Sequence, residues 1–336
     1  MKVPESANYI FYRPFGADSI FHSSMFKWSP PHANAPAQEL FDQASLKNTE
    51  FMSIDGYQIY FRKGKYQVKE KIIIPENYHV HFEAGVELDF VNEAGFISQS
   101  PVFMRGTEEE PIMITSSDHT ANGFTVLQAD EESILGHVIF DHFNTLDYKG
   151  WTLTGAVNFY ESNVAIKNCV FRNNHCEDGL NIVRSDFSLI SSVISNTAFD
   201  GVDCDFCKGR VEQCRFYNAG NDGLDLSGSL IEVKNCKFED SGDKGVSVGE
   251  DTDAALFNVD ISGSPIAVAA KDLSVLVIHG MNMNDCEQGF VAYQKKPEFG
   301  GSNIIVKKYK AKNIRRLHNI QKGCALQLID QMIKGE

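Results

Sequence analysis

The chain has 336 residues, of which 43% are hydrophobic and 23% charged, the balance of a folded protein with a sizeable core. Its 45 acids against 31 bases leave a net charge of −14, a field that repels nucleic acid and anionic membranes unless a local basic patch reverses it. No run of about 18 apolar residues occurs, so no membrane insertion is expected.

Residues 1–63 differ in character from the rest. The start, Met1 to Tyr9, lacks the apolar stretch of a secretory signal. The expectation is a cytosolic protein, or one whose export signal or upstream domain is not in this sequence. Phe11, Tyr12, Phe15, Phe26 and Trp28 sit among Pro30, Pro31 and Pro36, which predicts an extended arm or cap. Such a segment would shield the first strand edge of whatever follows, since a bare edge invites aggregation. From residue 64 onward, short apolar runs separated by polar turns predict strands: Ile72 to Pro75, His79 to Phe82, Val86 to Phe90, Pro111 to Thr115 and His137 to Phe140. Asn144 to Trp151 lengthens one unit and predicts a projecting loop. Cys324 to Ile329 reads as a final strand or a capping helix.

The decisive signal is a repeat. Gly179, Gly201, Gly223 and Gly245 are 22 residues apart, and two further steps reach Ala267 and Gly289. Each glycine follows a polar turn and precedes an alternating run whose apolar members are Leu180/Ile182, Val202/Cys204, Leu224/Leu226 and Val246/Val248. Alternation with period two marks a half-buried strand. A second alternating run, Arg210 to Phe216 and Ile231 to Phe238, would place Cys214 over Cys236 and Phe216 over Phe238. Units this short cannot bury their own apolar side and must stack. The fold class is therefore all-β: a right-handed single-stranded parallel β-helix of about 22-residue coils over 64–336, with 1–63 as the N-terminal arm or cap. Eight cysteines are too dilute for a disulfide scaffold, and the Cys204/Cys207 pair has no second CxxC to complete a zinc site.

If the residues after each glycine alternate inward and outward, the outward columns carry the chemistry. One reads Asn181, Asp203, Asp225, Ser247, with Asn158 as an earlier member. Another reads Val183, Asp205, Ser227, Gly249, Lys271, Tyr293. Asp178, Asp200 and Asp222 precede the glycines, where aspartate is good turn chemistry. Asp203, Asp205 and Asp225 are poor strand formers and ask for another reason. Like charges one coil apart, about 4.8 Å, repel by roughly 1 kcal/mol in water and about 3–4 kcal/mol at an effective dielectric near 20. A bound divalent cation, ion pairs with Lys244 and Lys271, or raised carboxyl pKa values would relieve this. Calcium suits such an all-oxygen set, so Asp203, Asp205 and Asp225 are candidate Ca²⁺ ligands. Lys244, Lys271 and Arg184 are candidate bases or clamps, and Asn181, Tyr293, Lys295 and Trp151 candidate substrate contacts, beside aromatic Tyr148 and Tyr160. An acidic floor flanked by lysines suits a uronate polymer, whose carboxylate a cation neutralises while a base removes the adjacent proton.

At Trp151–Ser162, Glu177–Ser185, Asp200–Phe206, Asn221–Ser229, Asp243–Glu250 and Lys295–Gly300 the sequence resembles bacterial right-handed parallel β-helix repeat proteins of the pectate-lyase-like superfamily. More narrowly, it is similar to a group found with CotH-type kinase-like proteins. The resemblance covers roughly residues 64–329. It implies a carbohydrate-active β-helix protein acting on or binding an acidic polysaccharide, as a calcium-assisted polysaccharide lyase or epimerase. It also implies an extracytoplasmic or cell-surface setting and fusion to, or association with, a CotH-type domain. The Gly-His-Gly and Arg-Ile-Lys of polygalacturonases are missing, and Asp200 to Asp205 only distantly matches the epimerases' Asp-Pro-His-Asp, lacking its histidine. The alternative is a non-catalytic structural or adhesive module of a larger cell-envelope or spore-surface protein.

Overall fold

The structure is a computed structural model and describes residues 9–13, 20–24, 46–329 and 331–335. The chain divides into two compact units, Met1–Phe41 and Asp42–Glu336. In the first, Tyr9–Tyr12 and Phe21–Ser24 form an antiparallel pair. The expected arm or cap rests largely on Phe15, Phe26, Trp28, Pro30, Pro31 and Pro36, which lie outside the described residues.

The second unit is a parallel β-solenoid with no helix among its described residues. Each coil contributes one strand to each of three sheets. In one coil these are Asp178–Val183 in sheet I, Asp186–Ile190 in sheet II and Val193–Thr197 in sheet III. Among the described residues, sheets I and III have eleven strands each and sheet II has fourteen. Sheet II is longer by one parallel strand and by an antiparallel strand at each of its ends. Met52–Asp55 pairs with Gln58–Phe61 at the start, and Gln331–Lys334 pairs with Ala325–Leu328 at the finish. Cys324 to Ile329 therefore includes a strand rather than a helix. Asn144 to Trp151 contributes to an antiparallel hairpin of Leu146–Tyr148 and Trp151–Leu153.

Inward-facing Leu180, Ile182, Val202, Cys204, Leu224, Leu226, Val246 and Val248 are buried in one continuous core. Phe216 lies over Phe238 with ring centroids 4.5 Å apart, as the repeat predicts. Phe61 over Phe82 and Phe96 over Phe124 repeat the motif at 4.2 and 4.3 Å. The corners between sheets I and II form a second column, of small polar side chains. Ser185 Oγ accepts the Ser162 N–H at 2.8 Å, Ser229 Oγ that of Cys207 at 2.8 Å, and Thr252 Oγ1 that of Ser229 at 3.0 Å. Each corner N–H turned out of the sheet ladder thus finds a buried acceptor one coil on, as buried donors must. All eight cysteines are free and buried, and Cys207, Cys214 and Cys236 donate to main-chain carbonyls.

Candidate functional site

The 22-residue spacing becomes physical register in sheet I. Asn158, Asn181, Asp203, Asp225 and Ser247 are successive partners, and Asp178 pairs with Asp200. In a straight strand, residues three apart point to opposite faces. Here the Asn181 amide donates to Asp178 Oδ2 at 3.0 Å, so the strand must bend between them, at Gly179. The bend brings neighbouring coils too close for a side chain at that position. A Cβ on Gly179, Gly201 or Gly223 would meet the carbonyl oxygen of the next glycine at 2.8, 2.5 and 2.7 Å. The glycine column thus separates two polar columns of sheet I, which together are called the trough. Asp178, Asp200, Asp222 and Lys244 form one wall, and Asn181, Asp203, Asp225 and Ser247 form the floor.

Outward-facing does not mean exposed in this trough. Asp178 and Asp222 retain 2% of their accessible surface, Asp200 8%, Lys244 7% and Lys271 5%. The carboxyls of Asp178, Asp200 and Asp222 are buried within strands or beside them, and Asp200 and Asp222 each accept a main-chain N–H of the next coil, from Asp222 and Lys244. Carboxylate oxygens of Asp200, Asp222 and Asp225 lie within 4.8 Å of one another. Asp200 Oδ1 accepts from the Asn221 amide and the Asp222 N–H, both at 2.7 Å. Lys244 Nζ lies 3.2 and 3.4 Å from the two Asp222 oxygens and also bonds Asp243. Lys271 Nζ reaches Asp225 Oδ1, two coils away, at 3.5 Å. It does so across Gly249, where a Cβ would sit 3.1 Å from the Lys271 Cε. Ser247 Oγ is buried beside Asp225 with no hydrogen-bond partner among the described residues.

Electrostatics follow from this crowding. Burial carries Asp178 up to about 7, with Asp200 and Glu177 adding to it against a Thr154 hydrogen bond. Burial also carries Asp222 to about 7 despite the neighbouring Lys244. Asp203 is pushed well above the usual carboxylate range by burial and by Asp178, Asp205 and Asp225. Asp200 and Asp205 move the same way, burial leading in both. Burial pulls the Lys244 ammonium down, yet Asp222 and Asp243 outweigh it and raise its affinity for the proton. Lys244 is therefore unsuited to act as a base. The ion pairs of Lys244 and Lys271 relieve part of the expected repulsion, and the carboxyls move toward the neutral form in the direction that relieves the rest.

Of the sequence candidates, the structure gathers Asp203, Asp225, Lys244, Lys271, Asn181 and Tyr293. Tyr293 pairs with Lys271 in register, and burial raises its phenol against the pull of Lys271 and Lys244. The other candidates stand apart. Asp205 is outside the close carboxylate trio, in which Asp200 and Asp222 appear instead. Arg184 is tied to the Tyr160 hydroxyl at 2.8 Å and to Glu161 at 3.6 Å, with its side chain 52% exposed. The Lys295 side chain is exposed, while its N–H donates to Asp272. Trp151 is held in the hairpin opposite Tyr148. Two surface cavities, of about 280 and 560 Å³, lie away from the trough, at Thr49, Met52 and Ile72 and at Phe187, Gly209 and Ile231.

The family described as right handed beta helix region matches residues 178–330. No curated protein matches the chain. Among solved structures, the periplasmic alginate epimerase AlgG, in a mutant form, aligns over 84% of this chain and 82% of its own, at 10% identity and a TM-score of 0.50. The enzymatically active domain of tailspike protein 2 from bacteriophage CBA120 aligns over 77% of this chain at 11% identity and a TM-score of 0.46. The alignment spans 42% of that tailspike chain. The Azotobacter vinelandii mannuronan C-5 epimerase AlgE4 A-module aligns over 79% of this chain and 89% of its own, at 10% identity and a TM-score of 0.35. The chain is a right-handed parallel β-helix.

Proposed function

We propose that the sheet I trough binds an acidic polysaccharide and removes the proton beside a uronate carboxylate, as a lyase or an epimerase does. The observation that carries this reading is the set of two buried lysines, a phenol and buried carboxyls brought together on one face of sheet I. An ammonium such as Lys271 neutralises the substrate carboxylate and acidifies the neighbouring C–H. Lys244 keeps its proton and orders Asp222 and Asp243. Asp222, near neutrality, is suited to exchange a proton at working pH. Tyr293, kept neutral, is suited to donate one. Inverting hydrolysis would need carboxyls about 6.5–9.5 Å apart, and the close trio is tighter than that.

A divalent cation fits the donor set. Asp200 Oδ2 and Asp225 Oδ2 lack protein donors among the described residues, and the orphaned Ser247 Oγ lies on the next rung. Asp200 and Asp225 would hold Ca²⁺, with Asp222 left to Lys244, and the ion when bound would supply positive charge for a substrate carboxylate. This shifts the expected ligand set away from Asp203 and Asp205. Association with a CotH-type partner and a cell-surface setting belong to the same proposal and rest on the sequence resemblance.

A non-catalytic glycan-binding or structural module is the second reading, favoured by the pairing of Lys244 with Asp222 and Asp243. Incubation with alginate and polygalacturonate in D₂O, with and without calcium, separates the two. Deuterium at the carbon next to the carboxylate, or an unsaturated product, supports the enzyme. Binding without either supports the module. Neither binding nor exchange on any acidic glycan removes the proposal.

A further inference from the structure

One coil departs from the repeat at both ends of its sheet I strand, Asp200–Asp205. Just before that strand, the coils on either side carry Glu177, Asn221 and Asp243, aligned by main-chain hydrogen bonds; this coil carries Phe199. Just after it, at the corner into sheet II, the neighbours carry Arg184, Gly228 and Glu250; this coil carries Phe206. Both rings are more than half exposed. Stability accounts for neither, because each forgoes the burial by which an aromatic side chain stabilises a fold. Phe206 also sits at φ +55°, a left-handed conformation that bulky residues rarely adopt and that glycine takes freely one coil on, at Gly228.

Both rings stand at edges of the trough. In the Phe199 column, the Asn221 amide reaches Asp200 Oδ1 at 2.7 Å and Asp243 bonds Lys244, so side chains there meet the wall. Phe206 follows Asp205 directly, on the other side of the floor residue Asp203. Its ring is held in place. A Cβ on Gly228 would meet the ring Cδ1 at 2.5 Å, so the ring occupies the space that glycine leaves, and the half-exposed Arg184 guanidinium stands 5.7 Å from its centroid. Seven residues separate the rings, at most about 25 Å of extended chain. We propose that Phe199 and Phe206 are sugar-ring platforms, and that a glycan chain lies along this strand from one to the other, over Asp203. This rests on the proposed function and adds to it the direction and the end contacts of the bound chain. A pyranose offers an apolar face of C–H bonds, which packs on the negative face of an aromatic ring, and a polar edge of hydroxyls that needs hydrogen-bonding partners. Aromatic rings at the ends with a polar strand between them match that alternation. A protein or lipid surface calls for a contiguous apolar patch, and here Asp200, Asp203 and Asp205 keep the rings apart. On a uronate stacked at Phe206, Arg184 is the cation within reach of the carboxylate.

The test is titration of the full chain with alginate and polygalacturonate hexasaccharides, long enough to touch both rings. The variants take residues that the repeat already uses at these positions, Phe199→Asn and Phe206→Gly, so that folding is retained; circular dichroism and melting check this. Phe206→Leu keeps apolar bulk without a ring face, and Phe206→Tyr keeps the ring. Phe199→Asn, Phe206→Gly and Phe206→Leu should each weaken hexasaccharide binding by about threefold to tenfold. The Phe199→Asn/Phe206→Gly double variant should lose about the product of the two, since rings this far apart share no contacts. Phe206→Tyr should bind as the wild type does. Folded Phe199→Asn and Phe206→Gly variants that bind as tightly as the wild type overturn the proposal, as does full affinity in Phe206→Leu. Wild-type protein that binds neither hexasaccharide defeats the proposed function itself, and this inference with it.

Discussion

Replacing Asp178 with asparagine tests the electrostatics of the trough. The Asp178 carboxyl is 2% exposed, accepts from Asn181 at 3.0 Å, and is carried by burial from an ordinary 3.8 to about 7. A carboxyl with a higher pKa in the folded state binds its proton more tightly when folded. Its stabilising contribution is complete below about pH 4 and is lost as pH rises through about 7. A shift of this size corresponds to about 4 kcal/mol between the two limits. Asp178→Asn keeps the shape and an acceptor for Asn181 but carries no charge. It should match the wild type below about pH 4, draw ahead as pH rises from there to about 7, and be more stable at pH 8 by up to about 4 kcal/mol. Urea unfolding midpoints from pH 5 to 9 read this directly; midpoints are preferable to extrapolated energies in a repeat array, whose unfolding need not be two-state. Parallel pH profiles, or a variant less stable at pH 8, would refute the reasoning.

Gly201→Ala places a methyl 2.5 Å from the Gly223 carbonyl oxygen and should lower stability by about 1–3 kcal/mol, visible as an earlier melting transition. Gly249→Ala crowds the Lys271 Cε at 3.1 Å and should displace Lys271 from Asp225; glycan affinity should drop while the circular dichroism spectrum holds. Lys244→Met leaves Asp222 buried without its cation, and breaking such a pair costs about 3–5 kcal/mol above neutral pH. That loss should shrink below pH 6 as Asp222 takes a proton, which a pH series of melts would show. The thiols of Cys169, Cys176 and Cys207 are pushed up to about 12 by burial, so the native protein should resist iodoacetamide until denaturant is added.

The repeat made the coil and its register legible, because residues 22 apart must share a column once the units stack. Asn181, Asp203, Asp225 and Ser247 are aligned for that reason. Spacing carries no information about the bend at Gly179, which turns residues three apart toward each other and draws Asp178, Asp200 and Asp222 into the site. Nor does it show that Gly249 lets Lys271 reach past one coil to Asp225. A missing side chain in an outward column was the available signal. Lys244 reads as a candidate base from its position alone; only the two carboxylates around it show why its proton stays on.

The corner column has a consequence for handling the molecule. Cys207 Sγ donates to the Asp205 carbonyl at 3.3 Å, and Ser229 Oγ donates to the equivalent Ser227 carbonyl at 2.9 Å. Sulfur and oxygen thus do the same work one coil apart. Cys207→Ser keeps that bond and removes a thiol, and Cys214 and Cys236 make comparable bonds to their own corners. A solenoid with these corner thiols replaced by serine is therefore within reach, while Cys204, packed in the apolar column, calls for an apolar replacement.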